Sequence, residues 1–254
     1  MTHTPLTAPT LPQALRNGIN ALAAAQLQVD IAPYPDMDEG DLIELFWNNC
    51  FAASRRVTAC KVGAPTHLRV PESFVQDGPA QVHYQVMQVG HAAARSAVTQ
   101  VRVKTNYPGG RPSPLYSNEN LNLAPAGLPE TIRRYGVNAS QVRRGVPLTI
   151  EPYLNMTSGD AITLRWGDVR LDLPKIEAND VGLPVQVWVP CAVIIEAGDD
   201  SRLDVTYCIL DHVGNNSRWA PTRTLRIASG MPPRPAGTAL IYQPRPHGSP
   251  CEPG

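Results

Sequence analysis

Ile31-Ala-Pro-Tyr34-Pro-Asp-Met-Asp-Glu-Gly40-Asp41-Leu-Ile-Glu-Leu-Phe-Trp47 returns as Ile150-Glu-Pro-Tyr153-Leu-Asn-Met-Thr-Ser-Gly159-Asp160-Ala-Ile-Thr-Leu-Arg-Trp166. The second copy begins 119 residues after the first, and no gap is needed. A repeat of this size is one structural unit used twice, and it sets the architecture before any other feature is read. Within each copy, Gly-Asp reads as a turn entering a strand, because glycine accepts positive φ and a short carboxylate bonds nearby backbone. Alternation follows: Ile43, Leu45 and Trp47 in one copy, Ile162, Leu164 and Trp166 in the other. Residues two apart share one face of a strand, so these are core positions and the tryptophans are core anchors.

The match extends in both directions. Val62-Gly63, Pro65 and Val70-Pro71 recur as Val181-Gly182, Pro184 and Val189-Pro190. The register then slips by a few residues, so that Val82 and Tyr84 align with Val205 and Tyr207, and Val101-Arg-Val103 with Leu225-Arg-Ile227. Slips of this kind belong in loops, where added residues cost little closure entropy. Upstream, Leu11-Pro12 and Gly18-Ile-Asn-Ala21 resemble Leu128-Pro129 and Gly136-Val-Asn-Ala139.

The chain has 254 residues, enough for two cores. Its 22 basic and 22 acidic residues cancel, which leaves no overall electrostatic footprint for nucleic acid. Charged residues make up 17%, and the 26 prolines are about twice the average share, which suits an all-β chain rich in turns and edges. No apolar run reaches the length of a membrane span, and the first residues lack the basic and apolar regions of a secretory signal. The expectation is no membrane insertion, and a location in the cytoplasm or export without a cleavable signal.

Strands are expected near 27–32, 41–48, 55–60, 66–71, 81–87 and 97–104, and again near 146–151, 160–166, 169–177, 185–190, 202–210 and 222–228. Leu11–Ala25 has a helical spacing of Leu15, Ile19 and Leu22, but its counterpart contains Tyr135-Gly136-Val137, which favours an extended leader. Many short strands with frequent turns indicate an all-β fold, a pair of sandwiches or small barrels. The expected organisation is a leader (1–26), a first domain (27–105), a Pro/Gly/Asn-rich linker with the second leader (106–145), a second domain (146–228) and a disordered Pro-rich tail (229–254).

Val205-Thr-Tyr-Cys-Ile-Leu-Asp-His-Val-Gly-Asn-Asn-Ser217 resembles the penultimate strand and loop of bacterial immunoglobulin-like repeats, which often read Val-x-Tyr-x-Val-x-Asp-x-x-Gly-Asn-x-Ser. The Val-Gly-x-Pro segments, with Val-Pro following, look like the central strand of the same repeats. The resemblance is to the tandem Ig-like domains of proteobacterial, including Pseudomonas-type, proteins and covers about four-fifths of the chain. The first copy departs from it, with Gln88-Val-Gly-His91 in place of the Asp-x-x-Gly-Asn turn. The resemblance implies two tandem Ig-like β-sandwiches and roles in surface display, adhesion, spacing or assembly.

Catalytic signatures are missing: there is no Gly-x-Ser-x-Gly elbow, no His-Glu-x-x-His and no phosphate-cradling loop. No catalytic residue, cofactor or metal site is expected. His67 and His83 lie on strands of one domain and are absent from the other copy, which holds Gln186 and Thr206 there. Asp36, Asp38, Glu39 and Asp41 form an acidic loop that in the second copy loses Asp38 and Glu39 to Thr157 and Ser158. Both features read as solvated surface, although calcium would need such oxygens. Arg133-Arg134 and Arg143-Arg144 read as a solvated face able to meet an acidic partner. The cysteine positions do not recur between copies, and the candidate bridges are Cys50–Cys60 and Cys191–Cys208.

The function expected is a non-enzymatic binding or structural module, an adhesin-like or accessory component of a surface or secreted assembly. It would contact a protein partner through interstrand loops or edge strands. The candidate loops are 48–54, 88–95, 167–170 and 211–219, and the candidate binding residues are Trp219, His212, Asn215, Asn216, Arg218 and His91. Trp219 is either a contact anchor or a ring folded back on the sheet. A carbohydrate-binding module using Trp188 and Tyr207 and a cytoplasmic adaptor for a secreted effector are the alternatives.

Overall fold

A computed structural model describes residues 6–14, 18–113 and 118–230. Residues 231–254, on which most of the expected disordered tail falls, and Leu15 of the leader lie outside the described set. The fold is all-β, two tandem Ig-like sandwiches. Two compact units are present, Met1–Asn106 with Val213–Asn215, and Tyr107–His212 with Asn216–Gly254.

The first unit contains β1 (Gly18–Ile19), α1 (Ala21–Ala24), β2 (Gln28–Ile31), β3 (Leu42–Trp47), β4 (Cys50–Arg56), β5 (Thr66–Arg69), β6 (Gly78–Met87), β7 (Ala94–Arg95) and β8 (Thr99–Val103). Its larger sheet has the order β1-β8-β6-β3-β4, with β7 on β6, and its smaller sheet is β2-β5. The second unit contains α2 (Glu130–Tyr135), β9 (Val137–Asn138), α3 (Ala139–Arg144), β10 (Val146–Ile150), β11 (Ala161–Trp166), β12 (Val169–Asp172), β13 (Val185–Val189), α4 (Cys191–Ala197), β14 (Asp200–Leu210), β15 (Asn216–Trp219) and β16 (Arg223–Ala228). Its larger sheet runs β12-β11-β14-β16-β9, with β15 on β14, and its smaller sheet is β10-β13.

The two topologies are the same, and the sequence alternation explains the cores. Ile43, Leu45 and Trp47 of β3 are buried, as are Ile162, Leu164 and Trp166 of β11, while the residues alternating with them on the other face are partly exposed. Val29, Ile31 and Leu68 of the smaller first sheet join Trp47, Val82 and Tyr84 of the larger in one cluster. Leu148, Ile150 and Val187 join Trp166, Val205 and Tyr207 in the other.

The repeated upstream residues also have a structural cause. Ile19 and Val137 sit in short strands that pair in parallel with the last strand of each larger sheet. The following Asn20 and Asn138 cap short helices, Asn20 Oδ1 accepting from Ala23 N at 2.8 Å and Asn138 Oδ1 from Gln141 N at 3.1 Å. Gly136 has φ 78°, and a Cβ there would lie 2.4 Å from the Arg226 carbonyl oxygen, so β9 approaches β16 as closely as it does only with glycine.

The turn that opens each repeat is closed by a buried carboxylate. Asp41, 5% exposed, accepts hydrogen bonds from the Tyr34 hydroxyl (2.9 Å), Asp38 N (3.1 Å) and Gln88 Nε2 (3.1 Å). Asp160, fully buried, accepts from the Tyr153 hydroxyl (3.0 Å), Thr157 N (3.0 Å) and Thr157 Oγ1 (2.9 Å). Positive φ recurs too, at Asp36 (58°) and Asn155 (60°), and at Gly40 (93°) and Gly159 (90°). Burial first, and then the neighbouring aspartate, raises the pKa of Tyr34 and of Tyr153 far above the ordinary tyrosine value.

Several expectations need correction. The leader is not a separate extended arm: Leu11, Ile19 and Ala24 belong to the first core, and Ala21–Ala24 is helical. The linker range 106–145 contains α2, β9 and α3, whose Ile132, Val137 and Val142 lie in the second core. The strand expected at 55–60 forms earlier, as β4. Its residues are partly or fully exposed, so it lacks the alternation that marks the other strands. The turn read at 211–217 is shorter, because Asn216 and Ser217 already belong to β15. Neither candidate disulfide forms: Cys50, Cys60 and Cys208 are free, while Cys191 is disulfide-bonded.

The core packing yields two predictions. Trp166 is fully buried and its indole Nε1 has no partner among the described residues, so its contribution is packing. Trp166→Ala is expected to lower the unfolding free energy by about 3–5 kcal/mol and Trp166→Phe by much less, as read by urea denaturation; equal losses would show that volume is not what the site requires. Tyr34 and Tyr153 titrate higher in the folded chain than in the unfolded one, so their contribution is complete below pH ~10 and fades above it. Stability measured against pH should therefore fall in the alkaline range, and Tyr34→Phe with Tyr153→Phe should flatten that fall.

Candidate functional site

The residues singled out in the 211–219 loop have different fates. His212 and Asn216 are exposed. Asn215 is 2% exposed and, within the first unit, accepts from Ala21 N (2.9 Å) and donates to the Lys104 carbonyl (2.8 Å). Ser217 is fully buried, accepting from Ile209 N (2.8 Å) and donating to the Arg218 carbonyl (2.6 Å). Arg218 takes φ 62°, and its backbone N–H is held by Asn216 Oδ1 at 2.7 Å while its guanidinium donates to the Ser113 carbonyl at 3.2 Å. The Asn and Ser of the Asp-x-x-Gly-Asn-x-Ser pattern are therefore taken up by backbone groups rather than left to meet a partner. His91 is exposed in the first unit, in the turn before β7.

Trp219 is half-buried at the end of β15. Its backbone pairs with Cys208 and bridges to the 118–120 segment, donating to Asn118 O (3.1 Å) and accepting from Asn120 N (2.8 Å). The Arg165 guanidinium lies over its ring at 5.1 Å. Arg165 alternates with the buried Leu164 and Trp166, so the pair stands on the outer face of the larger sheet.

The first sandwich carries a different cluster on the corresponding face. Phe46, which occupies the repeat position of Arg165, stacks on His83 (5.0 Å between ring centroids, 6° between planes). Phe51 of β4, 52% exposed, meets Phe46 edge-on at 6.2 Å. Arg95 reaches His83 Nδ1 (3.4 Å) and Asn49 Oδ1 (3.3 Å). Burial, and then the Arg95 charge, lowers the pKa of His83 and favours the neutral ring. Sequence reading missed this cluster. The signal was the pair Phe46 and Phe51 flanking an Asn48-Asn49 turn, which the repeat does not preserve.

Other expectations separate in space. His67 lies on β5 of the smaller sheet and pairs with Asp30 at 2.6 Å, whereas His83 lies on β6 of the larger one. Tyr207 is fully buried, its hydroxyl donating to the Ala124 carbonyl, so it forms no exposed aromatic face with Trp188. Trp188 is 52% exposed, packs on Gly145 and donates from Nε1 to the Arg144 carbonyl at 2.9 Å. Among the described residues no group of three His, Cys, Asp or Glu is placed to hold a metal ion. Among them, too, no helix is long and apolar enough to cross a membrane, which does not bear on β-barrels.

No protein-family model and no curated protein matches the chain. Among solved structures, a part of a 1.5-MDa bacterial ice-binding adhesin is similar over 90% of this chain and 67% of its own, at 15% identity and TM-score 0.36. A bacterial immunoglobulin-like domain from the M. primoryensis ice-binding adhesin matches over 40% of this chain and all of its own, at 17% identity and TM-score 0.28. The fibronectin(III)-like modules of Clostridium thermocellum CbhA match over 87% of this chain and 93% of theirs, at 6% identity and TM-score 0.38. The fold class rests on the strand pairing above rather than on these likenesses.

The free cysteines differ in environment. Cys50 and Cys60 are exposed, whereas burial raises the pKa of the Cys208 thiol. Brief iodoacetamide treatment of the native chain should modify Cys50 and Cys60, and Cys208 only after unfolding. Peptide mass mapping reads the sites, and rapid modification of Cys208 in the native chain would contradict its placement.

Proposed function

We propose that the protein is a non-enzymatic contact module, adhesin-like in kind, that engages a protein partner through the outer faces of its larger sheets. The observation that carries this reading is the placement of aromatic and cationic side chains. Both larger sheets bear such a cluster on the face turned away from the core, Phe46–Phe51–His83–Arg95 in one and Arg165–Trp219 in the other. Neither cluster belongs to the residues shared by the copies, and neither fills a core. Aromatic rings and arginine are the residue types that dominate contact energies at interfaces. The edge strand β4 is a less favourable contact: a register shift at Ala52 and the charges of Arg55 and Arg56 oppose pairing with another strand.

A photo-crosslinking amino acid at position 51 or 219 of the full chain, expressed in its native host, tests the reading. One partner protein should be captured from one of these positions and not from position 62 or 183, which are exposed but lie outside both clusters. Phe51→Ser with Trp219→Ser should weaken binding of that partner by roughly tenfold or more while leaving the far-UV spectrum unchanged. Equal capture at all four positions would overturn the proposal.

A further inference from the structure

The second unit holds a groove of about 350 Å3 away from the Trp219 face. It is formed by the end of α2 (Arg133, Arg134, Tyr135), the start of β14 (Ser201, Arg202) and β16 (Thr224, Arg226). Trp219 pairs with Cys208 near the other end of β14, so the two features occupy opposite ends of that strand. Four guanidinium groups meet here in a chain whose formal net charge is zero. Arg133 is neutralised by Glu130 at 3.0 Å. Arg134, Arg202 and Arg226 are exposed, and their guanidinium groups make no hydrogen bond or ion pair among the described residues.

Among the described residues the acidic side chains nearby, Glu130 apart, form no ion pair with these guanidinium groups. Asp199 is held by Ser229 and Gly230, and Asp200 Oδ1 accepts from the backbone of Arg202. Asp204, across from Thr224 in register, stands beyond the groove lining. One of its arginines is private to this copy. Where the second sandwich has Arg202, the aligned position of the first holds Pro79, although Arg226 keeps its counterpart in Arg102.

We infer that this groove binds an acidic polysaccharide, a chain of carboxylate-bearing sugars. Three free guanidinium groups supply charge-assisted hydrogen bonds to carboxylates. Ser201 and Thr224 offer hydroxyl groups suited to sugar hydroxyls. Tyr135, 75% exposed at the end of α2, offers an aromatic face for the apolar side of a sugar ring. An acidic peptide would use the guanidinium groups but gives the ring and the hydroxyls no comparable role. The site is independent of the contact faces proposed above.

The test uses the full chain and three probes: fluorescent oligogalacturonate, a neutral cello-oligosaccharide of equal length and a poly-glutamate peptide. Fluorescence anisotropy should show saturable binding of oligogalacturonate that weakens with salt, and little binding of the other two. Arg134→Ser with Arg202→Ser and Arg226→Ser should reduce affinity by roughly tenfold or more. Tyr135→Ala should reduce it several-fold and leave the salt dependence unchanged, and Trp219→Ser should have no effect. Circular dichroism and thermal melting confirm that the variants are folded. Absence of oligogalacturonate binding, unchanged affinity in the folded triple variant, or equal binding of poly-glutamate would each overturn the inference, the last by assigning the groove to an acidic peptide.

Discussion

In each sandwich the entry to the central core strand is held by an aspartate that has left water and been met by a tyrosine hydroxyl and a backbone N–H. A carboxylate buried without partners costs several kcal/mol, so this turn is tolerable only when closed. Closing it requires a left-handed residue at Asp36 or Asn155 and a glycine at position 40 or 159, and it fixes where β3 and β11 begin. The alternation from that start carries Trp47 and Trp166 inward. A shift of one residue would turn both tryptophans to the outer face and the intervening side chains into the core. The Tyr–Asp pair and the register of the core strand are thus parts of one constraint.

That constraint accounts for what the two copies retain. Glycine, or an aspartate or asparagine, at the left-handed positions, an asparagine capping the helix after each parallel strand, and the Trp and Tyr of the core all answer to backbone geometry or packing. Positions on the outer face answer to neither. Phe46 and Arg165 occupy the same repeat position, yet one stacks on an imidazole and the other lies over an indole. The scaffold accepts both because their neighbours on either side, Leu45 and Trp47 or Leu164 and Trp166, point to the core.

The scaffold was legible in the sequence because its strands are buried on one face and polar on the other, so periodicity and repetition pointed the same way. Legibility failed where one of these signals was missing. The residues of β4 are partly or fully exposed, which erases the alternation and moved its expected position. α2 and α3 are six residues each, too short for a clear helical period, and they were read as linker although Ile132 and Val142 reach the core. The candidate cysteine bridges join the two cysteines found within one copy. Cys208, however, alternates along a strand whose inward residues are Tyr207 and Ile209, and it remains a free thiol.

The candidate site was less legible than the fold for a related reason. The Asp-x-x-Gly-Asn-x-Ser loop drew attention as a polar stretch, yet polar residues in a tight loop are first recruited to satisfy its own backbone. Ser217 is consumed in that way, and Asn215 is taken up by the backbone groups of Ala21 and Lys104. By contrast, Arg202 and Arg226 lie on strands and Arg134 on a short helix, scattered along the sequence and unremarkable singly. They converge because β14 and β16 are neighbours and because Gly136 lets the chain after α2 lie against β16. Polar side chains that the backbone does not need are the ones left to meet another molecule. In this chain such side chains stand on strands and helix ends rather than in the loop whose sequence is most polar.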